Sequence, residues 1–264
     1  MKQPGLFLLL LLAGCATSPM NSSSPEAFGR GDDNPSARLH TELGSRYYAR
    51  GQYAIAMQEL RIALASDSAY APAYNILGLV HAELREDGQA EGHFKRSLDL
   101  SPNYSEAHNN YGVFLCQRAR VPEAMSHFES ALSNPLYATP DKALANAGNC
   151  ALEKSSDPTR AETYFVRALK RAPGQTTALL GMAETHFRQG RWLAARSVLR
   201  QYSAQVGDAA MGPQALWLGV RAERKLGDRE AEANYGAQLR REHPESMQAQ
   251  WLISGDYEQA GSLL

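Results

Sequence analysis

The chain has almost no charge excess. Its 264 residues include 27 Lys and Arg against 28 Asp and Glu, a formal net charge of −1. Binding to a nucleic-acid backbone draws on clustered basic residues that displace counterions, so no nucleic-acid partner is expected. Catalytic signatures are missing as well. There is no nucleophile elbow, no phosphate loop, and no HExxH or CxxC pairing. Acid–base chemistry needs groups within hydrogen-bond reach of one substrate, whereas Asp and Glu fall mainly at predicted helix ends and outer faces. The expectation is therefore a protein without catalysis, cofactor, metal or small-molecule substrate. β-Branched residues are sparse and Ala is abundant, which favours helix. The one long apolar run, Leu6 to Ala13, falls far short of the roughly 20 residues that span a bilayer.

That run has another use. Lys2 supplies a short positive region before it, and it ends in Leu12-Ala13-Gly14-Cys15, the build of a signal peptide. The spacing resembles the lipobox of bacterial lipoproteins. The resemblance implies removal of residues 1–14, diacylglycerol (palmitate-type chains) on the Cys15 thiol and acylation of its amine. Such an anchor exceeds the single chain that gives only marginal membrane attachment. Ala16 stands where an Asp would resemble an inner-membrane retention signal, so the resemblance points to the outer membrane, on its periplasmic side. The mature chain has 26 basic and 28 acidic residues, so the lipid and not charge makes the attachment. Residues 16–36 hold five Ser, three Pro and two Gly. Such a segment cannot bury a core and reads as a tether with a reach of about 25 Å.

From residue 37 the chain repeats. Gly44, Gly78 and Gly112 are 34 residues apart, and Gly148, Ala183 and Gly219 follow at 36, 35 and 36. An Ala recurs twelve or thirteen residues after each: Ala56, Ala90, Ala124, Ala161, Ala195 and Ala231. Four residues later stands a large side chain: Leu60, Phe94, Phe128, Phe165, Leu199 or Tyr235. Pro102, Pro173 and Pro244 close three units. The pattern resembles the tetratricopeptide repeat (TPR), a 34-residue helix–turn–helix. It implies an all-α fold, a right-handed superhelix of about six repeats (37–70, 71–104, 105–138, 141–175, 176–209, 212–245), with the first helix of each, helix A, on the concave side. The small residue lets helix A approach helix B, the large one fills the space beside them, and stacking buries what one unit cannot. Unit four carries one extra residue between Gly148 and Ala161. Residues 246–264, with Trp251, Leu252 and Ile253, are expected to cap the open end at least partly, and Gly255 and Gly261 argue against a long helix there.

In TPR proteins, positions 2, 5, 9 and 12 of helix A face the groove. In the first three units these are Arg38, Thr41, Ser45 and Tyr48; Pro72, Asn75, Leu79 and Ala82; Glu106, Asn109, Val113 and Cys116. Tyr48, Leu79, Ala82 and Val113 form an apolar stripe, costly to leave bare. Asn75 and Asn109 share one register position, from which their amides can bond a bound peptide. These six residues are the expected partner-binding groove. Cys116 and Cys150 fall at positions 12 and 10 of neighbouring helices A, which do not face alike, so two separate, half-buried thiols are expected rather than a bridge. His81, His108 and His186 occupy positions usually aromatic and are read as packed imidazoles.

Asn109-Asn110-Tyr111-Gly112-Val113-Phe114-Leu115-Cys116, together with Ser133-Asn134-Pro135-Leu136-Tyr137 and the lipobox, is similar to the type IV pilus biogenesis/stability lipoprotein family (PilF/PilW). The likeness extends over nearly the whole mature chain; the C-terminal tail and the linker depart from it. It implies a pilotin, an outer-membrane lipoprotein required for localisation and multimerisation of the pilus secretin, hence for pilus biogenesis and twitching motility. The implied partner is a secretin subunit, with the membrane reached through Cys15. The alternative is a lipid-anchored TPR adaptor for other periplasmic proteins such as peptidoglycan enzymes.

Overall fold

A computed structural model describes residues 34–259. The expected signal peptide, Cys15, nearly all of the tether and residues 260–264 lie outside the described residues. Among the described residues are thirteen α-helices and one short 3-10 turn, Asp208–Ala210, with no strand. Twelve helices pair into six helix–turn–helix units: α1 (Pro35–Ala49) with α2 (Tyr53–Ser66), α3 (Ala71–Glu83) with α4 (Asp87–Leu100), α5 (Ser105–Gln117) with α6 (Val121–Ser133), α7 (Pro140–Lys154) with α8 (Pro158–Arg171), α9 (Thr176–Arg188) with α10 (Trp192–Val206), and α11 (Pro213–Leu226) with α12 (Arg229–Glu242). The last helix, α13 (Met247–Ser254), has no partner helix among the described residues. The first helix starts inside the expected tether. Asn34 caps it by accepting from the amides of Ser36 and Ala37, and Pro35 suits the first helical turn, where its missing N–H is no loss.

The backbones of each consecutive pair of odd-numbered helices approach closely from α1 to α13, whereas those of consecutive even-numbered helices do not, and a side chain has to bridge the gap, as Tyr164 of α8 does in donating to Glu129 of α6 at 2.6 Å. The odd helices are the inner, closer-spaced row and the even helices the outer, splayed row. Curvature of the stack follows from that difference, and the inner row forms the concave wall.

The A–B crossing is as tight as the residue pattern requires. A Cβ added at Gly44 would lie 2.8 Å from Leu60; at Gly78, 2.7 Å from Phe94; at Gly112, 2.8 Å from Phe128; at Gly148, 2.6 Å from Phe165; and at Gly219, 2.8 Å from Tyr235. Unit five carries Ala183 at this place against the smaller Leu199. Phe94, Phe128 and Phe165 are fully buried. Phe94 also reaches the next repeat, with its ring 5.5 Å from Tyr111 and 5.7 Å from Phe114. One aromatic thus joins both helices of its own unit to the unit that follows.

All six A–B turns need a residue in the left-handed region: Gly51, Arg85, Ala119, Ser156, Gly190 and Gly227. In most of them an amide donates five residues back to the helix A carbonyl row, as from Gln52 to Tyr47 and from Arg120 to Leu115, each 2.9 Å, closing the helix end. The extra residue of unit four sits in this turn, where the Asp157 amide donates six residues back to Ala151 at 3.0 Å. The insertion is absorbed where the chain is exposed, and the Gly148–Phe165 crossing is kept.

The C-terminal end is capped. Helix α13 packs on α11 and α12. Ser246 caps its start by accepting from the Ala249 amide, and Gly255 ends it with φ 73°.

Glycine adopts the left-handed conformation without the roughly 1–2 kcal/mol that other residues incur there, offset in part by its larger unfolded-state freedom. Ala119→Gly is therefore expected to stabilise the array by about 0.5–1 kcal/mol and raise Tm by roughly 2–3 °C. Thermal unfolding followed by circular dichroism checks this; a lower Tm than wild type contradicts the turn assignment.

Candidate partner-binding groove

Of the expected groove residues, Tyr48, Leu79, Ala82 and Val113 are half-buried on the inner wall. Leu79, Ala82 and Val113 rest on the central core, and Tyr48 on the first-repeat cluster. Burial, then the nearby charge of Glu83, pushes the Tyr48 hydroxyl up to about 12, so it stays neutral at physiological pH. These four side chains, joined by half-buried Ile76, make an apolar floor across the first three repeats.

The two asparagines are not on that floor. Asn75 and Asn109 are 1% and 8% exposed, because position 5 is turned toward the next helix A rather than into the groove. There they serve a side-chain ladder. Asn146 donates to Asn109 (3.0 Å), Asn109 to Asn110 (3.3 Å) and Asn110 to Asn75 (3.1 Å). The half-exposed amides are Asn110 and Asn146, at position 6. Their recurrence 36 residues apart is a signal in the sequence, one that the usual groove positions of the repeat do not include.

The cysteines also correct the expectation. Cys116 is fully buried, and so is Cys150. They form a disulfide between α5 and α7, with Cα atoms 5.9 Å apart. Successive helices A are related by a rotation, so unlike faces meet: position 12 of one meets position 10 of the next, as position 5 meets position 6 in the ladder. Closing a 34-residue loop restricts the unfolded chain and is worth about 3–4 kcal/mol.

Farther along the wall, charged side chains are buried between the inner helices. Glu184 and Glu223 are each 3% exposed and Arg221 6%. Arg188 bonds Glu184 (2.8 Å), Glu153 (2.7 Å) and the Leu152 carbonyl (3.0 Å), while Arg221 reaches Glu184 at 3.2 Å. Arg221 also lies 4.2 Å above the Phe187 ring, and Arg196 from helix B pairs with Glu223. Burial holds the Glu153 carboxyl above its ordinary range. Acidic residues are expected mainly at helix ends and on outer faces; here three of them line the inner wall, each answered by Arg. The wall thus has an apolar, half-open portion in repeats one to three and a closed, ion-paired portion from α7 to α11. Between them a recess of about 410 Å³ is lined by Asn109, Asn146, Lys142 and the loop from Gly174 to Thr177.

The histidines pack as expected. His108 lies 2.9 Å from His127, and His81 stacks on His93 at 5.0 Å. Burial, then the charge of His108, lowers His127 to about 4. Among the described residues no three potential ligands converge on a metal site.

A curved stack of helix pairs with a partly apolar inner wall defines a TPR scaffold, a class that works by binding other proteins. Tetratricopeptide-repeat family models match residues 41–105 and 152–212. The chain is 29% identical over 246 residues to the type IV pilus assembly protein PilF of Pseudomonas aeruginosa, covering 93% of this chain and 95% of that protein. The crystal structure of PilW, a widely conserved type IV pilus biogenesis factor, superposes with a TM-score of 0.73 at 30% identity, over 82% of this chain and 98% of PilW. A structure of Pseudomonas aeruginosa PilF gives 0.72 at 27% identity, over 84% of this chain and 98% of that one. The chain belongs to the PilF/PilW family of type IV pilus biogenesis proteins.

Removing one member of a buried ion pair strands the other, at about 3–5 kcal/mol. Glu184→Ala is expected to destabilise by about 3 kcal/mol, since Arg188 and Arg221 both lose a partner, whereas Glu123→Ala at the exposed Arg120 pair leaves the unfolding midpoint nearly unchanged. Equal midpoints for the two variants in urea would show that the inner network is solvated.

Proposed function

We propose that the protein is a secretin pilotin: an outer-membrane lipoprotein, facing the periplasm, that brings type IV pilus secretin subunits to the membrane and favours their assembly into multimers. The observation that carries the reading is family membership over nearly the full length of PilF and PilW. Two features of the chain support it. The Leu12-Ala13-Gly14-Cys15 run fits lipidation at Cys15, and the Cys116–Cys150 disulfide suits an oxidising compartment such as the periplasm.

The apolar floor of Tyr48, Ile76, Leu79 and Val113 is the docking surface in this reading. Asn110 and Asn146 beside it supply amide groups for a partner backbone. The mechanism is physical. Acyl chains at Cys15 confine the scaffold to the bilayer. A secretin subunit held in the groove then meets other subunits at a raised local concentration, which favours the ring by mass action.

Secretin multimers compared in wild type, deletion and Cys15→Ala strains, by unheated gel and membrane fractionation, test this. The expected outcome is loss of outer-membrane multimers in the deletion and misplaced multimers with Cys15→Ala. Normal multimers in all three would discard the pilotin reading in favour of a different periplasmic partner.

A second measurement addresses the groove. Leu79→Asp puts a charge on the apolar floor and is expected to reduce secretin capture at least tenfold while far-ultraviolet circular dichroism stays helical. Loss of helicity would mean that Leu79 is core.

A further inference from the structure

The inner wall of the last repeat is covered by the chain's own tail. On α11 the position equivalent to Ile76, Asn110 and Asn146 is Trp217. Its counterparts Ile76, Asn110 and Asn146 are half-open to the groove, but Trp217 is fully buried. Trp251 of α13 covers part of it, with ring centroids 6.0 Å apart, and the rest of its cover lies beyond the last helix. Gly255 turns the chain in the left-handed conformation, and the segment Asp256–Gln259 returns across α11. The Tyr257 ring stacks on Trp217, with centroids 5.8 Å apart and planes at 15°. The Arg224 guanidinium lies over the same ring, 3.9 Å from the Tyr257 centroid. The Trp217 indole N–H donates to the Gln259 carbonyl at 2.8 Å. Lys225 approaches Glu258 at 3.7 Å, although that carboxylate is otherwise 86% exposed.

This set of contacts is a way of reading a peptide. An indole face and a guanidinium hold one aromatic ring, a fixed N–H donor takes a backbone carbonyl two residues on, and a lysine meets the acidic residue between them. None of it requires the segment to be covalently joined to the scaffold. We propose that the concave face of α11, built from Trp217, Arg224 and Lys225, is a second peptide-binding site, specific for an extended segment with an aromatic residue followed by an acidic one, and held in cis by Asp256–Gln259. The short connection through Gly255 gives the tail an effective concentration on the order of millimolar. A partner segment opens the site only when it binds more tightly than that or is delivered together with a second contact. This site is separate from the apolar floor of repeats one to three, and it stands whether or not the pilus reading does.

The test uses the purified mature chain and a labelled peptide with the sequence of residues 255–264, read by fluorescence anisotropy and by quenching of tryptophan emission. Full-length Tyr257→Ala is expected to bind the peptide at least tenfold more tightly than wild type, because its own tail no longer competes. A chain ending after Ser254 should bind as tightly as Tyr257→Ala or better, with helical content unchanged. Replacing Tyr by Ala in the peptide, or adding Trp217→Ala to the Tyr257→Ala chain, should return binding to the wild-type level. If folded Tyr257→Ala binds no better than wild type, the tail is a permanent cap and the proposal is wrong. That outcome does not depend on the shortened chain folding, and it leaves the secretin assay untouched.

Discussion

The close approach of the two helices in each repeat is the constraint on which the rest of the structure depends. Where Gly44, Gly78, Gly112, Gly148 and Gly219 stand, a single added carbon would run into the Leu, Phe or Tyr that crosses from helix B. The missing side chain sets the helix separation, and the crossing side chain fills what remains and extends to the next unit, as Phe94 does to Tyr111 and Phe114. Intra-repeat and inter-repeat packing therefore share one residue. An insertion at the crossing would break both, which explains why the extra residue of the fourth unit is found in its exposed turn.

With that spacing established, the inner row of helices is close enough for its side chains to interlock, and it does so differently along its length. Between α3 and α7 the link is an amide ladder and a disulfide; between α7 and α11 it is a chain of Arg and Glu around Arg188. Buried polar networks demand complete partners and resist rearrangement. The wall is consequently interlocked along its length, and open and apolar only near the N-terminal end. A scaffold of this kind suits a member of the PilF/PilW family, whose relatives are described by their part in pilus assembly. The tail adds a local closure at the opposite end, where a tryptophan that would otherwise face the groove is capped by Tyr257.

Much of this was legible from the residues in order. The spacing of Gly44, Gly78 and Gly112, the Ala at the crossing and the aromatic four residues later determined six helix pairs, the tight A–B contact, the identity of the inner helices and the need for a terminal cap. All of these are relations within one repeat, and such relations follow from helix geometry and side-chain size. The resemblance through Asn109–Cys116 likewise led to the family. What the tertiary structure alone decided lies between repeats. Asn75 and Asn109 turn to the neighbouring helix instead of the groove, Cys116 meets Cys150 from an unlike register position, Glu184 and Glu223 are buried against arginine, and the tail folds back on Trp217. Each depends on the rotation from one helix A to the next, which the repeat pattern does not encode, because a period along the chain states which residues are equivalent and not which unlike residues come face to face.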